Sequence, residues 1–163
     1  MPADQTTLFA RLDALGIPHT TVEHAPMFPV EESQALRGTL PGAHTKNLFL
    51  KDKAGRMALV VAKEDSRVDL KTLAPLIGMG RLSFGSAEQL MAVLGVTPGS
   101  VTPFALINDR DNRVLVAVDA ALFAFDEVNC HPLRNDATTR VTKADLVRFI
   151  EACGHTPLTV DLA

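Results

Sequence analysis

An apolar run at residues 57–62, Met-Ala-Leu-Val-Val-Ala, constrains this fold more than any other feature of the sequence. A second apolar segment, residues 47–50, precedes it across the turn residues 52–55. Two such segments around a short polar turn predict a β-hairpin. Because the run 57–62 has no polar face, we expect its strand to be central in a sheet and covered on both faces.

Apolar periodicity, capping residues and glycine stops place the other elements. Helices are predicted at residues 4–16 and 31–36, through 73–77 after a cap at Asp69, at 86–94 after Ser86, and from Thr142 to a stop at Gly154. Further strands are predicted at residues 19–24, 81–84, 104–107 paired in a hairpin with 114–118, 138–141 and, as an edge strand, 157–162. Residues 25–29 and 40–45 are predicted loops.

This order of elements predicts the fold class. Hairpins alternate with helices, so the sheet should be mixed and partly antiparallel, with flanking helices in an α/β arrangement. The order is not a regular βαβ array and no glycine-rich loop follows a strand, which argues against a doubly wound nucleotide-binding fold. With 163 residues, 47% of them hydrophobic, and no linker, residues 1–163 are predicted to form a single domain.

Composition also predicts the compartment and narrows the partners. No apolar run approaches the ~20 residues that span a bilayer, and the first residues do not resemble a secretory signal, so no membrane partner is expected. The two cysteines, Cys130 and Cys153, are too few for a disulfide framework or a Cys-rich zinc site. They are typical of thiols in a reducing compartment, which predicts a cytoplasmic protein.

Charge is unevenly distributed along the chain. The formal net charge is −3, yet residues 46–71 hold seven basic against four acidic residues. A basic segment on an acidic protein suits contact with a few phosphates rather than general nucleic-acid binding. Taken alone, this pattern favours ordinary surface charge scatter.

No familiar catalytic signature occurs in the sequence: there is no Gly-x-Ser-x-Gly elbow, His-Glu-x-x-His, Walker loop or paired-cysteine motif.

Three weaker candidates remain. Lys46 stands at a predicted strand end, where its ammonium would hold a phosphate or a carbonyl oxygen, or simply face solvent. Residues 99–103 form either a plain helix-to-strand connection or a loop whose backbone N–H groups surround an oxyanion. His131 is either a general base or a structural loop histidine. A Cys130–His131 nucleophile is disfavoured, because adjacent residues of an extended segment point to opposite sides.

Several stretches together resemble a known family. They are residues 42–51 (GAHTKNLFLK), 68–71 (VDLK), 81–86 (RLSFGS), 99–106 (GSVTPFAL) and 131–133 (HPL). In this order they are similar to the prolyl-tRNA synthetase-associated editing domains of the YbaK-like superfamily, and in particular to the free-standing ProX/PrdX branch. The resemblance runs from about residue 8 to residue 154.

The resemblance implies a mixed, partly barrel-like sheet with flanking helices and an aminoacyl-tRNA deacylase that removes alanine from mischarged tRNA(Pro). It implies Lys46 as the site lysine, Asn47 and His131 as pocket residues, and a Gly-x-x-x-Pro loop formed by Gly99, Ser100, Val101, Thr102 and Pro103. No metal and no cofactor is implied. The implied partner is the acceptor end of tRNA(Pro), with transient contact to prolyl-tRNA synthetase or an elongation factor, and no DNA.

Physical chemistry is compatible with that reaction. An aminoacyl ester is already activated, so its hydrolysis needs a positioned water, the substrate 2′-OH and oxyanion stabilisation by the loop amides. We expect the pocket walls to include Val22, Phe49 and Val101, and the acceptor stem to meet Lys51 and Arg81. The alternatives are a Cys-tRNA(Pro) deacylase, a non-catalytic nucleic-acid-binding module on the same fold, and a Cys130-dependent thiol hydrolase.

Overall fold

The computed structural model describes residues 3–23 and 42–162. Its helices are α1 (Gln5–Ala14), α2 (Leu70–Leu76), α3 (Ala87–Leu94) and α4 (Lys143–Ala152). Its strands are β1 (Thr20–Glu23), β2 (Ala43–Lys51), β3 (Met57–Lys63), β4 (Ser83–Phe84), β5 (Val114–Asp119), β6 (Glu127–Cys130), β7 (Ala137–Thr142) and β8 (Leu158–Val160). Short 3-10 helices cover Pro98–Ser100, Pro103–Asn108 and Ala120–Ala124. The predicted loop 25–29 and helix 31–36 lie outside the described residues.

The helices begin where the sequence places capping residues. Ser86 and Gln89 form a reciprocal capping box at the start of α3, and the side chain of Thr142 accepts a hydrogen bond from the Asp145 amide at the start of α4. Asp69 caps α2 as predicted, and Pro75 lies inside that helix, where it lacks the N–H that would donate to the carbonyl of Lys71. Within the described residues, no helix is long and apolar enough to cross a membrane.

The sheet is mixed, as predicted. Its strand order is β1-β7-β6-β2-β3-β5-β8, with β4 also paired to β2. The β2–β3 hairpin, the β1–β7 and β6–β7 pairs and the short β4 contact are antiparallel. The β2–β6, β3–β5 and β5–β8 pairs are parallel. This confirms the α/β class with a partly antiparallel sheet and helices packed against it.

Some local predictions are wrong, and one strand was missed. Residues 104–107 are not a strand but part of the buried 3-10 helix Pro103–Asn108, in which Pro103 occupies the first turn and the Thr102 hydroxyl accepts from the Phe104 amide. A short buried apolar run does not distinguish strand from helix by periodicity, so capping decides. Consequently β5 pairs with β3 and β8 instead. Strand β6 was not predicted, and β2 begins at Ala43, inside the predicted loop 40–45.

The central hairpin separates two apolar clusters. Phe49, Leu59 and Val61 belong to the first cluster, which α1, α3 and α4 also join, whereas Leu50 and Val60 belong to the second, under α2. Both clusters are buried, which confirms that β3 is central and covered on both faces. Since successive strand residues point to opposite faces, every residue of β2 is assigned to one cluster side or the other.

Candidate active site

Strand β2 pairs with β3 along one edge. Its other edge pairs with strands only near the two ends of β2. On that edge, β6 pairs with Ala43 and His44, and β4 pairs with Leu50 and Lys51. No described strand pairs with the same edge from Thr45 to Phe49, a stretch that we call the edge gap. Within residues 3–23 and 42–162, the backbone groups of this stretch therefore have no strand partner on that edge.

The direction of the backbone groups in the edge gap follows from two hydrogen bonds. The carbonyl of His44 accepts from the Glu64 amide beyond the end of β3, whereas the carbonyl of Phe49 accepts from the Gly85 amide beyond β4. Backbone groups of alternate strand residues point to opposite edges. Asn47, two residues before Phe49, therefore directs its N–H and C=O into the edge gap.

The side chain of Asn47 is fixed by Thr45. The Thr45 hydroxyl donates to the Asn129 carbonyl at 2.8 Å, so its oxygen is left to accept from Asn47 Nδ2 at 3.3 Å. This orients Asn47 Oδ1 away from Thr45, where it is buried and has no hydrogen-bond partner among the described residues. A buried acceptor without a donor costs about 1–3 kcal/mol. Asn47 Oδ1 is therefore an acceptor without a donor on the sheet face that Asn47 shares with Phe49.

Lys46 lies inside strand β2, opposite Ala62, and not at the strand end that the sequence suggested. It projects on the side of Leu48 and the second apolar cluster, so Lys46 and Asn47 point to opposite faces of the sheet. The pKa of Asp65 is lowered, chiefly by a hydrogen bond from Lys63 and in smaller part by the charge of Lys46. A ligand in the edge gap would meet Lys46 from one face and Asn47 from the other.

His131 directly follows β6, the strand whose residues Asn129 and Cys130 contact the Thr45 hydroxyl. Its Nδ1 lies 3.0 Å from the carbonyl of Ala137, and because a carbonyl oxygen only accepts, Nδ1 carries the hydrogen. Nε2 of the neutral ring is then an acceptor. Cys130 Sγ lies 3.4 Å from the Thr45 hydroxyl, so β6 brings His131 to the same end of β2 as Asn47.

Residues 99–103 lie on the same side of the sheet as Asn47. Val101 packs against the first apolar cluster, which contains Phe49, so these two predicted wall residues border one apolar region. Ser100 is buried, and its amide already donates to the Thr97 carbonyl at 2.9 Å. An oxyanion-binding role is therefore restricted to the other amides of this loop. Pro103 is buried at the start of the 3-10 helix.

Val22 is not placed beside the other two predicted wall residues by the sheet. It lies on β1 opposite Thr138, and strands β7 and β6 separate β1 from β2. Neither apolar cluster includes it. Its role as a pocket wall stays a prediction.

Cys130 is unsuited to act as a nucleophile. It is buried, and burial raises the pKa of its thiol to about 12, so the thiolate is scarce at neutral pH. We expect Cys130→Ala to keep at least half of the wild-type hydrolytic rate on any ester that the protein cleaves, because the thiol takes no part in bond making. Steady-state kinetics of the folded variant measure this. A loss of 100-fold or more with an unchanged melting curve would instead support the thiol hydrolase alternative.

Lys51 and Arg81 line one groove of about 570 Å³, together with Asp52, Lys53, Gly55, Leu82, Ser83 and Gln89. Lys51 is five residues from Lys46 along β2, roughly 17 Å at the rise of a strand. The groove therefore lies beyond the edge gap, at the β4 end. Its basic side chains suit a polyanion that extends away from the gap.

Asp52, which lines this groove, connects its turn to the segment before Arg81 by hydrogen bonds. Although burial opposes it, the pKa of Asp52 is lowered, because its carboxylate accepts from the amides of Gly80 and Arg56 and from the Arg56 guanidinium. The Gly80 bond fixes the backbone just before Arg81. The sequence analysis did not predict this role for Asp52. An aspartate at the start of the predicted turn 52–55 is nevertheless typical of a side chain that bonds to the turn backbone.

We expect Asp52→Asn to lower the thermal unfolding midpoint at pH 7, and the difference from wild type to shrink as pH falls. A lowered folded-state pKa stabilises the protein above the unfolded value of about 3.9, and that contribution is lost as pH falls through the folded value. Thermal melts from pH 7 to pH 3 measure the difference. A gap between the two proteins that widens in acid would contradict the assignment.

Taken together, the edge gap offers an ammonium, an unsatisfied buried amide oxygen and backbone donors, with a basic groove beyond it and no activated thiol. These features suit a site for an ester or phosphate group at the end of a polyanion. The comparisons with known proteins are consistent with this class. Residues 24–149 match the family model described as the aminoacyl-tRNA editing domain. The chain belongs to this family, which confirms the resemblance found in the sequence and its enzyme class of aminoacyl-tRNA deacylase.

Particular relatives cover nearly the whole chain. The Prolyl-tRNA editing protein ProX of Acetoanaerobium sticklandii is 39% identical over 163 residues, covering 99% of both chains. The Prolyl-tRNA synthetase associated domain-containing protein 1 of Danio rerio is 39% identical over 149 residues, covering 90% of this chain and 81% of that one. A crystal structure of a candidate trans-editing enzyme for prolyl tRNA synthetase superposes with a TM-score of 0.75 at 20% identity, covering 99% of this chain and 98% of that one, which supports the fold.

Proposed function

We propose that this protein hydrolyses the ester that joins alanine to the 3′-terminal adenosine of tRNA(Pro), acting in trans on mischarged tRNA. The names of its relatives supply the prolyl-tRNA class of substrate. The observation that carries the proposal is the unpartnered, buried Oδ1 of Asn47 in the edge gap. An aminoacyl-adenosine end brings two donors to such an acceptor: the ribose 2′-hydroxyl and the α-ammonium group.

In the proposed reaction, a water oxygen attacks the ester carbonyl carbon. The bond from that carbon to the ribose 3′-oxygen breaks, and the 3′-oxygen takes up the proton that the water loses. Alanine leaves as the free acid. The protein's part is to orient the ester and stabilise the transient oxyanion, with Lys46 on one face of β2 and the amides of Gly99, Val101 and Thr102 on the other. Lys46 acts as a positioning charge and not as the base.

Selectivity for alanine requires a small, stiff apolar pocket. The ring of Phe49 lies so close to Gly85 that a Cβ built on Gly85 would come within 2.3 Å of a ring carbon. The ring therefore has little freedom on that side, and Val101 borders the same cluster. Binding alone discriminates by about 10–200-fold per methylene, so a sieve that excludes proline by size adds what a synthetase lacks.

The experiment is a comparison of three esters. Purified protein is incubated with Ala-tRNA(Pro), Cys-tRNA(Pro) and Pro-tRNA(Pro), and release of the amino acid is followed over time. The proposal requires rapid loss of alanine with the prolyl ester spared. Preferential release of cysteine would indicate a Cys-tRNA(Pro) deacylase, and RNA binding without hydrolysis of any ester would indicate a binding module.

We expect Asn47→Ala to lower kcat/KM for Ala-tRNA(Pro) by about 10–100-fold, the loss of a hydrogen bond of about 1.5–3 kcal/mol. Repeating the measurement on substrate ending in 2′-deoxyadenosine, and on N-acetylalanyl ester, identifies the donor. The substrate that lacks the true donor should respond to Asn47→Ala by less than threefold. Equal sensitivity of all three substrates would show that Asn47 acts only through the structure of β2.

A further inference from the structure

Phe84 is 62% exposed, more than any other large apolar side chain among the described residues. Its backbone is nevertheless fixed on both sides. Strand β4 pairs with β2, and the next residue, Gly85, donates its amide to the Phe49 carbonyl at 3.0 Å while lying against the Phe49 ring. Neither apolar cluster includes Phe84, so its ring does not belong to the hydrophobic core although its backbone is fixed.

The register places Phe84 between the edge gap and the basic groove. Phe84 is the partner of Leu50. Ser83 is the partner of Lys51, and these two residues line the groove on the opposite face of the same β2–β4 edge. Residues paired across antiparallel strands share a face, and Leu50 shares a face of β2 with Lys46. Four residues separate these two positions, about 13 Å along the strand.

We propose that Phe84 is a stacking platform for a base of the unpaired 3′ end of an RNA, held between the reacting adenosine at Lys46 and backbone phosphates at Lys51 and Arg81. This inference rests on the proposed function for the direction of the RNA. Base–aromatic stacking contributes about 1–3 kcal/mol per base and tolerates any base. The cations of the groove complement the phosphates that flank a stacked base.

The test uses an uncharged RNA hairpin that copies an acceptor stem with its unpaired 3′ end, with 2-aminopurine in the unpaired segment. Phe84→Ala should weaken binding by about 5–150-fold, which is 1–3 kcal/mol. It should also remove the quenching of 2-aminopurine that stacking on the wild-type ring produces. Phe84→Trp should restore both signals, whereas Phe84→Leu, which is apolar without a π face, should restore neither.

Two controls separate stacking from general effects. Leu158→Ala removes another exposed apolar side chain, 39% exposed on β8, three strands away from β2, and should bind as wild type. Salt dependence separates stacking from charge: Phe84→Ala should keep the wild-type slope of log K against log salt, while Lys51→Ala should reduce it by about one.

Wild-type affinity and quenching in a folded Phe84→Ala protein would overturn the inference and would leave this ring as a contact for a protein partner. The two proposals fail separately. If the protein binds the hairpin through Phe84 but cleaves no aminoacyl ester, the proposed function fails and the platform stands. If alanyl-tRNA is hydrolysed and KM is unchanged by Phe84→Ala, the platform alone fails.

Discussion

Replacing Lys46 with alanine is expected to lower kcat/KM for Ala-tRNA(Pro) by about 10²–10³-fold while the protein stays folded. Loss of one group that stabilises the charge of an acyl-transfer transition state has an effect of this size. Stability should change little, because Lys46 is half-buried at the surface of β2 and Asp65 remains paired with Lys63. Single-turnover hydrolysis and a thermal melt measure the two quantities.

Lys63 supplies the matched control. It is a half-buried lysine on the neighbouring strand, 2.6 Å from the same Asp65 carboxylate, but it stands at the end of β3 opposite Thr45. Lys63→Ala should retain activity within about fivefold, because it removes an ion-pair partner on β3, which pairs with the edge of β2 opposite the edge gap. Equal losses in the two variants would mean that the local charge, and not the position of Lys46, controls the reaction. An unfolded Lys46→Ala would mark a structural residue.

The largest loss of stability is expected for Gly42→Ala, about 2–6 kcal/mol. Gly42 has φ of +90°, and a Cβ there would lie 2.8 Å from the backbone oxygen of Glu127 and 3.2 Å from Asn129 Nδ2. Left-handed backbone strain costs about 1–3 kcal/mol, and a clash with backbone that cannot move adds a similar amount. Urea denaturation followed by circular dichroism gives the value.

Gly55→Ala isolates the contribution of the clash. Gly55 has a similar φ of +86°, and a Cβ built there meets nothing within 4 Å. The variant should lose only the strain of about 1–3 kcal/mol. If both variants lose the same amount, the close approach of Gly42 to β6 does not limit stability, and the junction of β2 and β6 is softer than the structure indicates.

The helices and the central hairpin were predictable because their signals are local. Ser86 with Gln89, Thr142 and Asp69 cap helices through bonds to residues two or three positions away. The run 57–62 needs no partner to identify it as a buried strand. The 3-10 helix that replaces a predicted strand at residues 104–107 shows the limit, since its apolar residues are buried in either conformation.

The arrangement of the site was not predictable in the same way. Family resemblance identified Lys46 and Asn47, but their separation onto two faces depends on where β2 begins. The Thr45–Asn129 hydrogen bond joins residues 84 positions apart and requires β6, which the sequence did not indicate. The sequence shows only that Asn129, a polar residue, lies between Val128 and Cys130, and this does not identify the residue to which it bonds.

The pairing of β1 with β7 has a consequence for the order of folding. Thr20 lies beside Arg140, so the first described strand has no partner until the chain has been synthesised almost to its last helix. Such distant pairings slow folding, because loop closure is unfavourable before the contacts form. The β2–β3 hairpin can assemble early, but β6, which bounds the edge gap, joins β2 across more than eighty residues. Catalytic competence should therefore be acquired only after β6 has been synthesised.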